Sequence, residues 1–279
     1  MKNILLPTDF SENSWNAVAY ALDYFTKKSC NFYILHVTEI YKYSNGSSLI
    51  TNINTTLEKT IVNQAKINLQ NLLKKIKKLS VGTQHSFVTI YSKDSFVSTV
   101  KQHVVEKNID LIVMGTKGAS RIKKAIIGSN TADLITKVKC PVMAIPEKAK
   151  FHKLKNITFP TDYNIFYQTK ILNNLLKLIK NSDATLRILH VGKKDEKLTT
   201  YQEENKEYLN TFFIDEKHSF HKVTNKKIEA GIQCFVESRA VDMIVMVAKN
   251  LNLFQQILFK PTVEEISYHT EVPFLVLHE

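Results

Sequence analysis

Apolar and polar positions along this chain follow two spacings. Short apolar runs bounded by polar residues read as strands: NILL at 3–6, NFYILHV at 31–37, HSFVTIY at 85–91, DLIVM at 110–114 and PVMAI at 141–145. Between them apolar residues recur three and four apart. That spacing predicts helices over about 12–27, 56–78 and 95–107, and one more between the fourth and fifth strands. Ser11 or Asp9 stands where the first helix needs an N-cap. Near-continuous apolar strands alternating with helices predict a parallel sheet covered on both faces. Right-handed crossovers make a doubly wound sheet the default, and the fold class brings the strand order 3-2-1-4-5. That order sets strands 1 and 4 side by side at the switch point, outside whose carboxyl ends such sheets bind ligands.

The pattern occurs twice. KNILLPTD at 2–9 returns as KNITFPTD at 155–162, and ILHV at 34–37 returns as ILHV at 188–191. DLIVM at 110–114 matches DMIVM at 242–246, and CPVMAI at 140–145 matches VPFLVL at 272–277. The order is kept, and the last two matches share one offset. Two tandem α/β units follow, 1–148 and 149–279, joined near EKAKFHKL at 147–154. A length of 279 residues suits two such domains, and 44% hydrophobic residues lets each build a core.

Composition narrows the function classes. The formal net charge of +12 comes with lysines on amphipathic helices, such as Lys74, Lys75, Lys77 and Lys78. No aromatic-plus-basic strip or recognition-helix pattern accompanies them, so a solvated surface is expected rather than a nucleic-acid site. A small anionic ligand also suits this charge. Cys30, Cys140 and Cys234 lie far apart with no CxxC or CxxH spacing, so no zinc site or disulfide framework is expected. Each adjoins an apolar stretch and is expected to pack as a small hydrophobe. The start, MKNILLPTDF, has too short an apolar run for a leader, and no run reaches membrane-spanning length. A cytoplasmic location without membrane contact is the expectation.

The candidate chemistry follows strands 1 and 4. PTDFS at 7–11 and GTKGASRIKKAIIGSN at 115–130 would face each other across one crevice. The second segment has the spacing G-x2-G-x9-G-S. Gly115 and Gly118 are expected to let the backbone approach a ligand with no Cβ in the way. Gly128 and Ser129 open the next helix, whose free amides and dipole favour an anion. Lys117, Arg121, Lys123 and Lys124 surround the loop. Neither a Walker A loop nor a GxGxxG string is present. Each part also has a plain structural role open to it: turn glycines, Ser129 as an N-cap, Asp9 as a cap. Their convergence on one crevice with added basic residues favours a ligand.

VMGTKGASRIKKAIIGSNTADLI followed by CPVMAI, together with PTDFSENSWNAVAYALDYF, resembles the universal stress protein family. The resemblance covers the whole chain as two tandem domains of the adenine nucleotide alpha hydrolase-like fold. Within that family the G-x2-G-x9-G-S spacing marks the ATP-binding branch. The resemblance implies that Pro7, Thr8 and Asp9 border the adenosine, Asp9 accepting from ribose or base, and that Val37 meets adenine through its backbone. It implies Met114 and Gly115 against the nucleoside, and Gly118, Gly128, Ser129 and Asn130 on the phosphates, with Arg121 near them. Asn130 departs from the apolar residue often found after the Ser. The implied ligand is an adenine nucleotide, ATP with or without Mg²⁺. Family dimers pair their fifth strands, which implies an intrachain pseudo-dimer through 141–145 and 273–277; a further homodimer is left open.

The second copy departs from the motif. At the matching offset Gly115, Gly118, Gly128 and Ser129 become Val247, Asn250, Lys260 and Pro261. Asp162 remains, but the second site is expected to be degenerate. ATP hydrolysis needs a metal-holding carboxylate, a positioned water and charge stabilisation. Asp9 is the one carboxylate at the carboxyl end, Asp110 precedes strand 4 at the wrong end, and His36, His218 and His221 lack companions. The expected function is nucleotide binding in a stress or regulatory role with little turnover. A slow ATPase or nucleotide-handling enzyme on the same fold is the alternative, and a ligand-free structural partner the third reading.

Overall fold

The computed structural model describes residues 1–39, 48–80, 84–116, 128–249 and 271–278, with side chains from residue 56 onward in the helix that begins at Ser48. Each predicted strand of the first half forms: β1 (Lys2–Pro7), β2 (Cys30–Val37), β3 (Ser86–Ser92), β4 (Leu111–Gly115) and β5 (Val142–Ile145). Between them lie α1 (Glu12–Phe25), α2 (Ser48–Leu79), α3 (Phe96–Glu106) and α4 (Ser129–Lys137). The second half repeats the plan with β6 (Asn156–Pro160), α5 (Thr169–Ser182), β7 (Thr185–Gly192), α6 (Thr200–Phe212), β8 (His218–Thr224), α7 (Ile228–Ser238), β9 (Met243–Val247) and β10 (Phe274–Leu277).

Both halves adopt the expected order, 3-2-1-4-5. They also merge: the sheet is continuous, β3-β2-β1-β4-β5-β10-β9-β6-β7-β8. Pairing is parallel within each half. The junction is antiparallel, Phe274 opposite Ala144, Leu275 opposite Met143 and Val276 opposite Val142. The strands that would otherwise be sheet edges, β5 and β10, thus cover each other.

The core follows from strand alternation. Ile4, Leu6, Leu111 and Val113 face one way and pack under α1, α2, α5 and α6 with Phe159, Leu186, Val245 and Leu275. Leu5, Ile112, Met114 and Ala144 face the other way, under α3, α4 and α7, with Ile244, Phe274 and Val276. Each layer therefore draws on both halves of the chain.

Two repeated details explain repeated letters in the sequence. The aspartate before β4 and β9 secures an amino end. Asp110 accepts from the Asn3 N–H at 2.8 Å, and Asp242 accepts from the Lys155 and Asn156 N–H groups at 2.6 and 2.8 Å. The histidine of each ILHV run bonds the loop after the first strand, His36 Nδ1 at 2.8 Å from the Thr8 carbonyl and His190 Nδ1 at 3.1 Å from that of Thr161. The aromatic residue of each loop, Phe10 or Tyr163, has positive φ (63° and 56°) and lies on that histidine ring at 4.4 or 5.3 Å. His36 is thus a brace of the loop.

The cysteines differ from expectation at one position. Burial raises the Cys30 thiol pKa and pushes Cys140 up to about 12, so both are inert apolar packers. Cys234 is exposed instead, because α7 buries Gly231, Ile232, Phe235 and Val236 and turns position 234 outward.

Candidate functional site

The loop after β1 sets one wall. Thr8 is drawn onto the sheet by its N–H, which donates to the Leu35 carbonyl at 2.8 Å. Its hydroxyl accepts from the Phe10 N–H at 3.1 Å and lies 3.1 Å from Ser14 Oγ. Ser11 is the N-cap of α1, accepting from the Ser14 N–H at 3.2 Å. Asp9 does not cap the helix; its Oδ1 holds the cap, accepting from the Ser11 N–H at 3.0 Å and the Ser11 hydroxyl at 2.6 Å.

The segment after β4 sets the opposite wall. Thr116 N–H donates to the Ile145 carbonyl, and the Thr116 carbonyl accepts from the Gly128 N–H at 2.5 Å. The Thr131 hydroxyl donates to the Gly115 carbonyl at 2.9 Å. These bonds fix where the chain leaves β4 and re-enters α4. Gly128, not Ser129, is the N-cap of α4, and glycine has no side chain with which to cap it. The first turn of α4, with the positive end of the helix dipole, borders the cleft through Gly128, Ser129, Asn130 and Thr131.

Pro7, Thr8, Asp9, Val37, Met114, Gly115, Gly128, Ser129 and Asn130 all line one cleft of about 620 Å³, its open mouth included. Gly118 and Arg121, and the neighbouring Lys117, Lys123 and Lys124, lie outside the described residues. Ser14, Phe96 and Thr131 complete the lining. Sequence reasoning missed these three. Ser14 and Thr131 are single polar residues on helices with no motif of their own, whereas Phe96 had a signal in being the first residue of the helix after strand 3. Asp9 is the one carboxylate among the described lining residues.

Gly115 lines the cleft and also has a packing role: a Cβ there would fall 2.9 Å from Asn13 Cγ and 3.0 Å from the Asn13 carbonyl oxygen. The missing side chain lets α1 settle on β4. The second half shows the converse. Val247 is buried in the core layer, and the helix there, α5, begins only at Thr169. The counterpart of Asn13 is Phe166, half-exposed and turned onto Tyr208 at 4.5 Å. The counterpart of Ser14 is Tyr167, a buried ring whose hydroxyl donates to Thr161 Oγ1 at 2.9 Å. A small lining residue of the first half is replaced there by a phenol. Asn250, Lys260 and Pro261 lie outside the described residues.

A continuous, doubly wound α/β sheet with a cleft at the β1/β4 switch point defines a class of ligand-binding scaffolds. The model of the universal stress protein family matches residues 1–146 and again 153–278, and the chain belongs to that family. Among curated relatives, universal stress protein MJ0577 of Methanocaldococcus jannaschii is 26% identical over 159 residues, covering 53% of this chain and 96% of that protein. Universal stress protein A homolog 1 of Coxiella burnetii is 30% identical over 149 residues, covering 52% of this chain and 95% of its own length. Universal stress protein Slr1230 of Synechocystis is 24% identical over 298 residues and covers 99% of both chains. A solved universal stress protein from Archaeoglobus fulgidus has the same fold across 99% of this chain and 96% of its own, with TM-score 0.59 and 18% identity. No helix among the described residues is long and apolar enough to cross a membrane.

Proposed function

We propose that the first half binds an adenine nucleotide, ATP with or without Mg²⁺, in this cleft, and that the chain acts as a stress or regulatory protein with little turnover. The observation that carries this reading is the meeting, at one cleft, of an apolar wall with the N-terminus of α4, whose N-cap is a glycine. Val37, Phe96 and Met114 suit a base, and helix N-terminal amides suit phosphates. Asp9 is a weak candidate for turnover, because Oδ1 already holds the α1 cap. The units 1–148 and 149–279 are read as two domains, the second without a nucleotide site and serving as partner across β5 and β10.

Mass spectrometry of co-purified ligand and titration calorimetry test the reading. One nucleotide per chain is expected. Two per chain, or no heat and no thermal shift at millimolar ATP, would overturn it. Steady phosphate release that is lost in Asp9→Asn would favour the slow ATPase instead.

A further inference from the structure

We infer that Phe96 is the base-side wall of the cleft and sets its preference for a nucleotide over bare phosphate chains; this rests on the nucleotide reading above. Strand order supplies the geometry. β2 and β4 flank β1, so Val37 and Gly115 stand two strand spacings apart, about 9–10 Å. The α4 N-terminus belongs to the β4 side. Phe96 opens α3, which leaves β3 on the far side of β2, and it reaches the same cleft as Val37. A ligand with phosphates at Gly128 and Ser129 therefore extends its other end toward Val37 and Phe96.

The start of α3, which carries the ring, is held in place there. No side chain of Ser95 caps α3. Instead the Phe96 N–H donates to Glu39 Oε1 at 2.9 Å, tying the first residue of α3 to the segment just past β2. Glu39 thus fixes the helix start from which Phe96 extends.

The second half shows what happens without such a wall. α3 and α7 match at one offset, so Phe96 corresponds to Ile228 and Thr99 to Gly231. A Cβ at Gly231 would fall 2.6 Å from Val191 Cγ1, so α7 rests directly on the counterpart of Val37. In the first half Thr99 is buried and its hydroxyl lies 3.1 Å from Ser92 Oγ, while Val37 faces the cleft. Val37 thus lines the cleft in the half that carries the aromatic ring, and its counterpart Val191 lies directly under α7 in the half that carries Ile228.

The test compares ATP with inorganic tripolyphosphate on the full chain by calorimetry, with melting curves as the folding check. Phe96→Ala should weaken ATP binding about tenfold or more and leave tripolyphosphate unchanged, since base–aromatic contact is what it removes. Phe96→Tyr should retain ATP affinity, and Phe96→Leu, which keeps apolar bulk if the alanine variant folds poorly, should fall between. Equal loss of both ligands, or ATP binding as tight as wild type in Phe96→Ala, would overturn the inference while leaving the nucleotide reading standing. A wild-type chain that binds neither ligand would overturn both.

Discussion

Gly115→Ala is the most direct probe of how the cleft is built. The added methyl would sit 2.9 Å from Asn13 Cγ, 3.0 Å from Asn13 Nδ2 and 3.0 Å from the Asn13 carbonyl oxygen, all tighter than carbon contacts allow. The side-chain atoms can swing away, but the carbonyl moves only with α1. The helix must therefore shift by a few tenths of an ångström against a sheet it packs on. Overpacking of this kind costs about 1–3 kcal/mol. A loss of 2 kcal/mol lowers Tm by roughly 4–8 °C in a chain of this size. Urea unfolding should show a lower midpoint with an unchanged slope. Asn13→Ala removes two of the three close atoms and leaves the carbonyl, so the double variant should recover about 1 kcal/mol relative to the sum of the single losses. ATP binding should weaken as well, because Asp9, Ser11 and Ser14 travel with the N-terminus of α1. A Gly115→Ala chain that unfolds at the wild-type urea concentration, or a cycle with no coupling, would show that the glycine is not there for α1.

Three further outcomes follow from the same geometry. Thr131→Val removes the hydroxyl that donates to the Gly115 carbonyl in a buried setting, and should cost about 1–2 kcal/mol in urea unfolding and weaken ATP binding through α4. His85, His221 and His278 are each held by burial below the ordinary histidine value of 6.5, so the unfolded chain binds protons more readily than the folded one as pH falls below 6.5. Stability should thus be full above that value and drain as pH falls from it toward the depressed folded values; a Tm that is flat or rises from pH 7.5 to 5.5 would contradict this, and His278→Gln, which keeps a donor for the Ile135 carbonyl, should flatten the slope. A fragment of residues 1–148 lacks β10 and leaves β5 as a bare apolar edge, so it should elute as a dimer on size exclusion; a monomer would mean that the edge needs no partner.

The fold was legible because the strands of this chain are nearly continuous apolar runs at regular intervals, and because it presents each run twice. What periodicity could not show was that the two units share one sheet and two common core layers, since both faces of the central strands, such as β4 and β9, are apolar and nothing in the pattern says which helix covers which face. The cleft was legible at PTD, at the end of β2, and at the G-S pair opening α4, where small or helix-starting residues follow strand ends. The packing role of Gly115 was not legible, because a glycine at a strand end looks the same whether a ligand or a helix comes close. Asn13, far from Gly115 in sequence, gives no local sign of lying against it. Ser14 and Thr131 were invisible for a related reason: each reaches the cleft through the packing of its helix, and single helix positions carry no spacing to read; Phe96 had only its place at the start of the helix after strand 3.

The two halves differ at the cleft in linked positions rather than at isolated ones. Val247 in place of Gly115 is sterically compatible with the second half only because α5 starts late and Phe166 turns outward. Gly231 in place of Thr99 brings α7 down onto Val191, and Tyr167 in place of Ser14 fills the room beside Thr161. Each exchange adds a side chain where the first half leaves space, or removes one where the first half keeps elements apart. The core strands on either side stay buried throughout, from Ile4 and Ile112 to Ile157 and Ile244. Single reversions in the second half, such as Val247→Gly, should therefore create a buried void instead of a working cleft, because the late start of α5 and the bulk of Tyr167 would remain. The same linkage explains why the first half tolerates a glycine at the end of a central strand: α1 fills the space that the missing side chain leaves.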